Sequence, residues 1–276
     1  MAICWISSYP KSGNTWFRAF LTNYIEQPSA PADIDTLLGW KWASQRSWLD
    51  SVLGFDSSLV SYDEINVLRP YIYAWAGQRA GIEYYKVHER FSKNKQGKPI
   101  FAGGGIFGCV YIVRNPLDVA VSYAHHLDVT IDDAVSIMTD PEHAIQVRQG
   151  KYSPHVRQHI GTWSENVTSW TANRFIPVHV IRYEDMYFQP LVTFSKVLDF
   201  LRFEPRPNAV EKAMKFSKFG EMRRQEMSGR FHDKPATMEK FFRRGITGDW
   251  KNVLTDAQIS RIIDAHGPAM AEFSYL

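Results

Sequence analysis

Three short stretches of this chain carry residue types that can hold anions, and a fourth carries a base. The first is Ser-Ser-Tyr-Pro-Lys-Ser-Gly-Asn-Thr-Trp at residues 7–16. Gly13 lets a backbone come close to an anion, Lys11 adds a full positive charge, and Ser12, Asn14 and Thr15 add side-chain hydrogen bonds. The common ATP/GTP loop, G-x-x-x-x-G-K-[ST], is not this pattern, because here the lysine precedes the only glycine. An ordinary strand-to-helix turn with a surface lysine is the plain alternative. The second stretch pairs Arg114 with Ser122, two residues able to hold a separate anion; alone, Arg114 reads equally well as a surface ion pair. The third is Arg243-Arg244-Gly245, followed by Gly248-Asp249-Trp250. Two adjacent cations and a glycine form a clamp or a solvated basic loop. The fourth is Lys86-Val87-His88. A histidine, with its reference pKa of about 6.5, suits proton abstraction near neutral pH. Taken alone, His88 reads better as a satisfied histidine at a strand end.

The surrounding pattern says how these residues are placed. Ile3-Cys4-Trp5-Ile6 has the length and type of a buried parallel strand. From near Thr15, the residues Trp16, Phe17, Phe20, Leu21 and Tyr24 recur on one helix face. Such a strand, loop and helix start form an anion site, since the first backbone N–H groups of a helix are unpaired and its dipole favours negative charge. Residues 83–88 read as a second strand, 109–113 as the clearest buried strand, and 177–181 as another buried one. Asn115, Pro116 and Asp118 mark the start of a helix over 118–126. Further helices are expected over 163–170, 191–201 and 208–216. A last helix is opened by a Thr255/Gln258 capping box and ends by Gly267. Residues 32–80 are mixed and aromatic (Trp40, Trp42, Trp48, Tyr71, Tyr73, Trp75), mostly core, with a share lining an acceptor pocket. Residues 127–160 read as helices and a polar surface loop, and 217–247 as a long basic loop. Glu184-Asp185 reads as a helix cap, and the adjacent His125 and His126 face different ways, against a metal pair.

Strands alternating with helices predict an α/β fold. It is one domain over residues 1–276, with a central, mostly parallel sheet flanked by helices. Ligands of such sheets sit at the C-terminal strand ends. That places Lys11, His88, Arg114 and Tyr183 together, one after each strand.

Composition narrows the partners. A net charge of +3 over 276 residues is far from that of a dedicated nucleic-acid binder and suits a small anionic ligand. Cys4 and Cys109 are the only cysteines, both in apolar runs. They read as buried thiols in a reducing compartment, with no disulfide framework and no metal knuckle. No export signal and no apolar run near about eighteen residues is present, so the expectation is a cytoplasmic protein that does not enter a membrane.

The motifs together are specific. Residues 9–16, Tyr-Pro-Lys-Ser-Gly-Asn-Thr-Trp, resemble the 5′-phosphosulfate loop of the cytosolic-type sulfotransferases. Residues 114–123, Arg-Asn-Pro-Leu-Asp-Val-Ala-Val-Ser-Tyr, resemble that family's 3′-phosphate motif. Residues 242–252, Phe-Arg-Arg-Gly-Ile-Thr-Gly-Asp-Trp-Lys-Asn, are similar to its C-terminal Arg-Lys-Gly…Gly-Asp-Trp-Lys motif. All three stand in the family order, across nearly the whole chain. The resemblance implies a P-loop nucleotide-kinase-like fold. It also implies transfer of a sulfuryl group from 3′-phosphoadenosine 5′-phosphosulfate (PAPS) to a small-molecule hydroxyl, or an amine, leaving PAP. By the same resemblance Lys11, Ser12, Gly13, Asn14 and Thr15 surround the 5′-phosphosulfate. Trp16 stacks on adenine and Tyr183 neighbours it, as do Ser217 and Phe219. Arg114, Ser122, Arg243, Arg244 and Gly245 contact the 3′-phosphate. His88 matches the catalytic base, in a Lys-Val-His where the family has Lys-Thr-His. Lys11 stabilises the leaving phosphate oxygen, Lys86 steadies the sulfuryl oxygens, and the 217–247 loop closes over the nucleotide. The family's dimer motif is matched at Lys251 and Thr255 but not at Asp256 and Ser260, which leaves the oligomeric state open. Residues 161–167 also resemble bacterial antibiotic-tailoring sulfotransferases.

No metal is implied. Arg114 follows the 109–113 strand where a nucleotide kinase would want an acid for magnesium. Fixed cations and positioning can suffice for sulfuryl transfer. The rival readings are an ATP- and magnesium-dependent kinase and a non-catalytic nucleotide-binding module.

Overall fold

The computed structural model describes residues 2–39, 41–78, 81–146, 153–229, 231, 233–234 and 238–276. Trp40 lies outside the described residues. Among these, the main sheet has four parallel strands: β1 (Ala2–Ser8), β2 (Ile82–Val87), β3 (Ile106–Val113) and β6 (Val178–Arg182). Their order is β2-β1-β3-β6. The register pairs Ser7 with Val87 and with Tyr111, so the three strands end side by side. A separate two-stranded antiparallel pair, β4 (Ala144–Ile145) with β5 (Gln158–His159), lies inside the stretch read as helix and loop. Two-residue strands leave no alternation to read.

Side chains alternate across the pleat and divide the core into two layers. Ile3 and Trp5 of β1, with Cys109, Tyr111 and Val113 of β3, face one layer. That layer is closed by α2 (Arg46–Leu53), α3 (Tyr62–Ala76), α4 (Pro116–Leu127), α5 (Ile131–Met138), α6 (Trp163–Thr171) and α11 (Asp256–Glu272). Cys4 and Ile6, with Val110 and Ile112, face the other. There α1 (Asn14–Glu26), α7 (Tyr183–Phe188), α8 (Pro190–Phe200) and α9 (Pro207–Phe216) pack. Trp5 is fully buried, with its indole N–H donating to the Phe101 carbonyl at 2.8 Å. Burying such a side chain is worth about 1.5–3 kcal/mol. The mixed stretch 32–80 supplies Leu49, Ile65, Ile72 and Tyr73 to the core. Pro70 sits inside α3; the Asn66 carbonyl it leaves free accepts the Asn94 amide at 3.2 Å.

Four boundaries differ from the sequence reading. The strand at 178–182 is half-buried, because it pairs with β3 alone and forms the sheet edge. Residues 217–247 are not one loop: α10 (Phe219–Ser228) occupies their first part and places Met222 in a small apolar cluster with Ala19 of α1, Ile34 and Leu37. Its apolar residues are too few to reveal a helix by period. The last helix opens at the expected capping box but runs past Gly267 and Pro268 to Glu272. Ala269 and Met270 are buried beyond the proline, which outweighs one missing N–H. Glu184 and Asp185 lie in the first turn of α7 without capping it; Glu184 instead accepts from the Asn115 backbone at 3.0 Å and the Tyr275 hydroxyl at 2.8 Å. No helix among the described residues is long and apolar enough to cross a membrane.

Candidate active site

The four residues that follow the strands border one cavity of about 940 Å³. This is the upper end of the range for small-molecule sites, large enough for two substrates.

The loop between β1 and α1 turns through Lys11 (φ 68°) and Gly13 (φ 101°). At Gly13 a Cβ would lie 2.6 Å from the Tyr183 ring, so both the backbone angle and the space demand glycine. Gly13 is also the N-cap of α1, with no side chain capping the helix and no acid in its first turn. The N-terminus is left open to an anion. Asn14 does not reach the cavity with its amide nitrogen, which donates to the Ile6 carbonyl at 3.1 Å and straps the loop to β1. Ser12 is buried behind the loop. Its Oγ, the Asn14 Oδ1 and the Arg114 Nε are buried and have no hydrogen-bond partner among the described residues.

Arg114 leaves β3 and joins two distant segments. Nη1 donates to the Lys11 carbonyl and Nη2 to the Ile246 carbonyl, each at 3.0 Å. Its guanidinium lies 4.2 Å from the Tyr183 ring centre, and Tyr183 meets Trp16 edge to face at 5.4 Å. Asp118, on the first turn of α4, accepts from the backbone of Gly248 at 2.7 Å and Trp250 at 3.1 Å. This fixes Asp249, whose carboxylate pairs with both Arg243 and Arg244. Burial would push the Asp249 carboxyl up, but the two guanidinium groups hold it below the usual range. Glu226 of α10 accepts from the backbone of Phe241 and Phe242, at 2.6 and 2.9 Å, which sets the approach to the arginine pair. Gly245 (φ 64°) has no room for a Cβ, which would fall 2.1 Å from the Phe219 ring.

The third group surrounds His88. Its Nδ1 lies 2.8 Å from the Ser8 carbonyl, which can only accept, so Nδ1 carries the proton and Nε2 keeps its lone pair. The backbone is pinned as well: Asn166 donates to the His88 carbonyl at 2.9 Å and accepts from Tyr111 at 2.8 Å. Burial first, then Lys86, pulls His88 down to about 3, well below the 6.5 taken from the sequence. The Lys86 ammonium lies 3.0 Å from Asp233 and 4.0 Å from the Trp42 ring centre. Trp42 meets His88 edge to face at 5.4 Å. The Lys11 ammonium sits 3.9 Å from the Phe241 ring centre and 3.5 Å from the His126 Nδ1. Burial, then Lys86 and Arg114, lowers Lys11 to about 7.

Of the residues singled out from sequence, Lys11, Gly13, Asn14, Thr15, Trp16, Lys86, His88, Arg114, Ser122, Tyr183, Phe219, Arg243, Arg244 and Gly245 all border this cavity. Ser12 and Ser217 do not. Ser217 is fully buried at the end of α9, where its hydroxyl donates back to the Ala213 carbonyl at 2.9 Å. Trp42 alone of the 40–75 aromatics lies on the wall; the others described are core or surface. His125 and His126 do diverge, His126 toward Lys11 and His125 toward the Lys240 carbonyl. Sequence reasoning missed Asp233, Glu226 and His155, and quoted Asp249 within its motif without its pairing to Arg243 and Arg244. For Asp249 a signal existed, an acid following two arginines. Asp233 gave none.

Comparison with known proteins gives the family and the fold. The rat (Rattus norvegicus) Sulfotransferase 2A6 is 26% identical over 272 residues, covering 96% of this chain and 84% of the relative. The mouse (Mus musculus) Sulfotransferase 2A6 is 29% identical over 264 residues, covering 92% and 79%. Among solved structures, mouse sulfotransferase SULT7A1 complexed with PAP shares the fold with a TM-score of 0.59 at 20% identity, over 98% of this chain and 84% of that one. Retinol dehydratase in a complex with retinol and PAP does so at 0.64 and 16%, over 97% and 81%. The sulfotransferase domain family matches residues 108–274, more than half of the 276, and the chain belongs to that family and is a sulfotransferase.

Proposed function

We propose that the protein transfers the sulfuryl group of PAPS to a hydroxyl of a small-molecule acceptor, with His88 as general base. The observation that carries this reading is the cavity itself, which gathers Lys11, Arg114, Arg243 and Arg244 at one wall system and an imidazole with a free Nε2 at the same opening. A buried, unpaired donor on the cavity wall supports a bound anion: the Arg114 Nε has no partner among the described residues, and a buried donor left unpaired costs about 1–3 kcal/mol. Relatives of this fold have been solved with PAP. PAPS supplies the sulfuryl group and a phosphate leaving group. Lys11 and the open start of α1 hold the 5′-phosphosulfate. Arg114, Ser122, Arg243 and Arg244 hold the 3′-phosphate, with Trp16, Tyr183 and Phe219 beside the adenine. His88 Nε2 takes the acceptor proton, Lys11 stabilises the leaving phosphate oxygen, and Lys86 steadies the sulfuryl oxygens. The anionic donor raises the basicity of His88, opposing the burial that depresses it.

The direct test is a screen of phenols, sterols, amines and sugars with sulfur-labelled PAPS, run with and without a metal chelator. Labelled product that survives the chelator is expected. Turnover of ATP that stops with the chelator would instead identify a kinase.

Lys11 adds a pH signature. With its ammonium lowered to about 7, the free protein is only half charged there near neutrality, and an anion favours the charged form. PAP affinity should therefore fall as pH rises from about 6 to 9, and binding at pH 7.5 should take up protons. Calorimetry in buffers of different ionisation enthalpy measures that uptake. A flat affinity with no uptake would remove Lys11 from the anion site.

A further inference from the structure

Asp233 is an acid on the cavity wall set against two buried cations. Its Oδ2 lies 3.0 Å from the Lys86 Nζ and 3.3 Å from the Arg18 Nη1. Those two side chains are only 6% and 3% exposed, while Asp233 is 21% exposed. A buried cation without a partner gives up its proton where it can, so the carboxylate decides whether Lys86 stays charged. Arginine does not deprotonate, so Arg18 fixes the carboxylate in place instead. Asp233 is anchored from both sides in the chain. Phe231 packs on Phe241 and Phe242 at 4.9 and 5.5 Å, and the Lys234 ammonium lies 3.6 Å from Glu226.

We propose that Asp233 is a positioning residue for sulfuryl transfer, holding Lys86 protonated and aimed over Trp42 beside His88. The proposal rests on the assignment of Lys86 to the sulfuryl oxygens made above. The other groups around Lys86 do not substitute for Asp233. Arg18 on α1 and Lys11 on the preceding loop carry like charge. His88 at the end of β2, His126 on α4 and His155 before β5 all feel the Lys86 charge and are held neutral by burial. The Glu226 carboxylate is turned to the backbone of Phe241 and Phe242. Burial already lowers Lys86 to about 8, with Asp233 opposing that fall.

The test uses the full chain labelled with ¹³C-lysine. The Lys86 signal is assigned by its loss in Lys86→Arg, and its titration is followed by NMR. Asp233→Asn, which keeps an oxygen of the same size, should move the midpoint down by at least about one unit. Asp233→Glu should restore it. With the acceptor found in the screen, Asp233→Asn should slow turnover about tenfold at pH 8.5 and less than about twofold at pH 6.5. In a Lys86→Arg background, whose guanidinium stays charged, that pH dependence should vanish. An unmoved midpoint, or equal slowing at both pH values with only a lowered melting temperature, overturns the proposal. So does an Asp233→Glu protein that folds yet titrates unlike the parent, which decides the matter even if Asp233→Asn fails to fold. If Lys86→Met slows turnover while Asp233→Asn leaves the midpoint in place, the positioning claim alone falls. If Lys86→Met leaves turnover unchanged, the assignment of Lys86 falls, and this proposal with it.

Discussion

His88→Ala should lower turnover by about 10²–10⁴-fold, the usual loss when a general base is removed. PAP affinity should change by less than about threefold, since no nucleotide contact is assigned to this side chain. The geometry makes the prediction sharp. The Ser8 carbonyl claims the Nδ1 proton, so Nε2 is the only ring nitrogen that can accept. Burial and Lys86 hold the ring neutral down to about pH 3 in the free protein. The acid limb of kcat/KM should accordingly lie well below 6.5, not at the value of an ordinary histidine. The check is steady-state turnover of labelled PAPS with the identified acceptor from pH 4.5 to 9, alongside calorimetry with PAP. Unchanged turnover in His88→Ala would remove His88 as the base and leave the transfer itself in place. An acid limb at 6.5 would point to another titrating group.

Arg114→Ala should weaken PAPS binding by about 10–10²-fold, as expected for one charge-assisted pair. Adenosine 5′-phosphosulfate, which lacks the 3′-phosphate, should lose far less. Some shared loss is built in, because Arg114 also ties the carbonyls of Lys11 and Ile246 together. The ratio between the two nucleotides therefore carries the information. Competition binding against labelled PAP gives it, and equal weakening of both would take Arg114 away from the 3′-phosphate.

How much of this was readable in the sequence follows from the range of the forces involved. Strands β1 and β3 announced themselves because they are buried on both faces and so appear as unbroken apolar runs. The start of α4 was legible for a local reason: the Asn115 side chain accepts from Leu117 two residues on, at 2.9 Å, with Pro116 in the first turn. Lys11, His88, Arg114 and Tyr183 could be grouped because strand ends in a parallel sheet converge whatever the details. Helix α10 was missed since its few apolar residues join a cluster, with Ala19, Ile34 and Leu37, that lies far away in the chain. Asp233 was missed for the same reason, being 147 residues from Lys86. The Ser217 hydroxyl was misjudged because a motif shows a residue type and not the direction of its side chain, here back onto Ala213. The depressed basicity of His88 was likewise invisible, since burial is a property of the packed molecule.

The pair of hydrogen bonds from Arg114 has a consequence for the order of assembly. Residue 114 joins carbonyls 103 and 132 positions away along the chain. Contacts so distant in sequence close late, after the entropy of very long loops has been overcome. A nascent or partly unfolded polypeptide would thus have no complete cavity until the segment carrying Ile246 had docked. Bound PAP should then act as a reporter of complete folding, protecting both ends of the chain from proteolysis together and in proportion to its concentration.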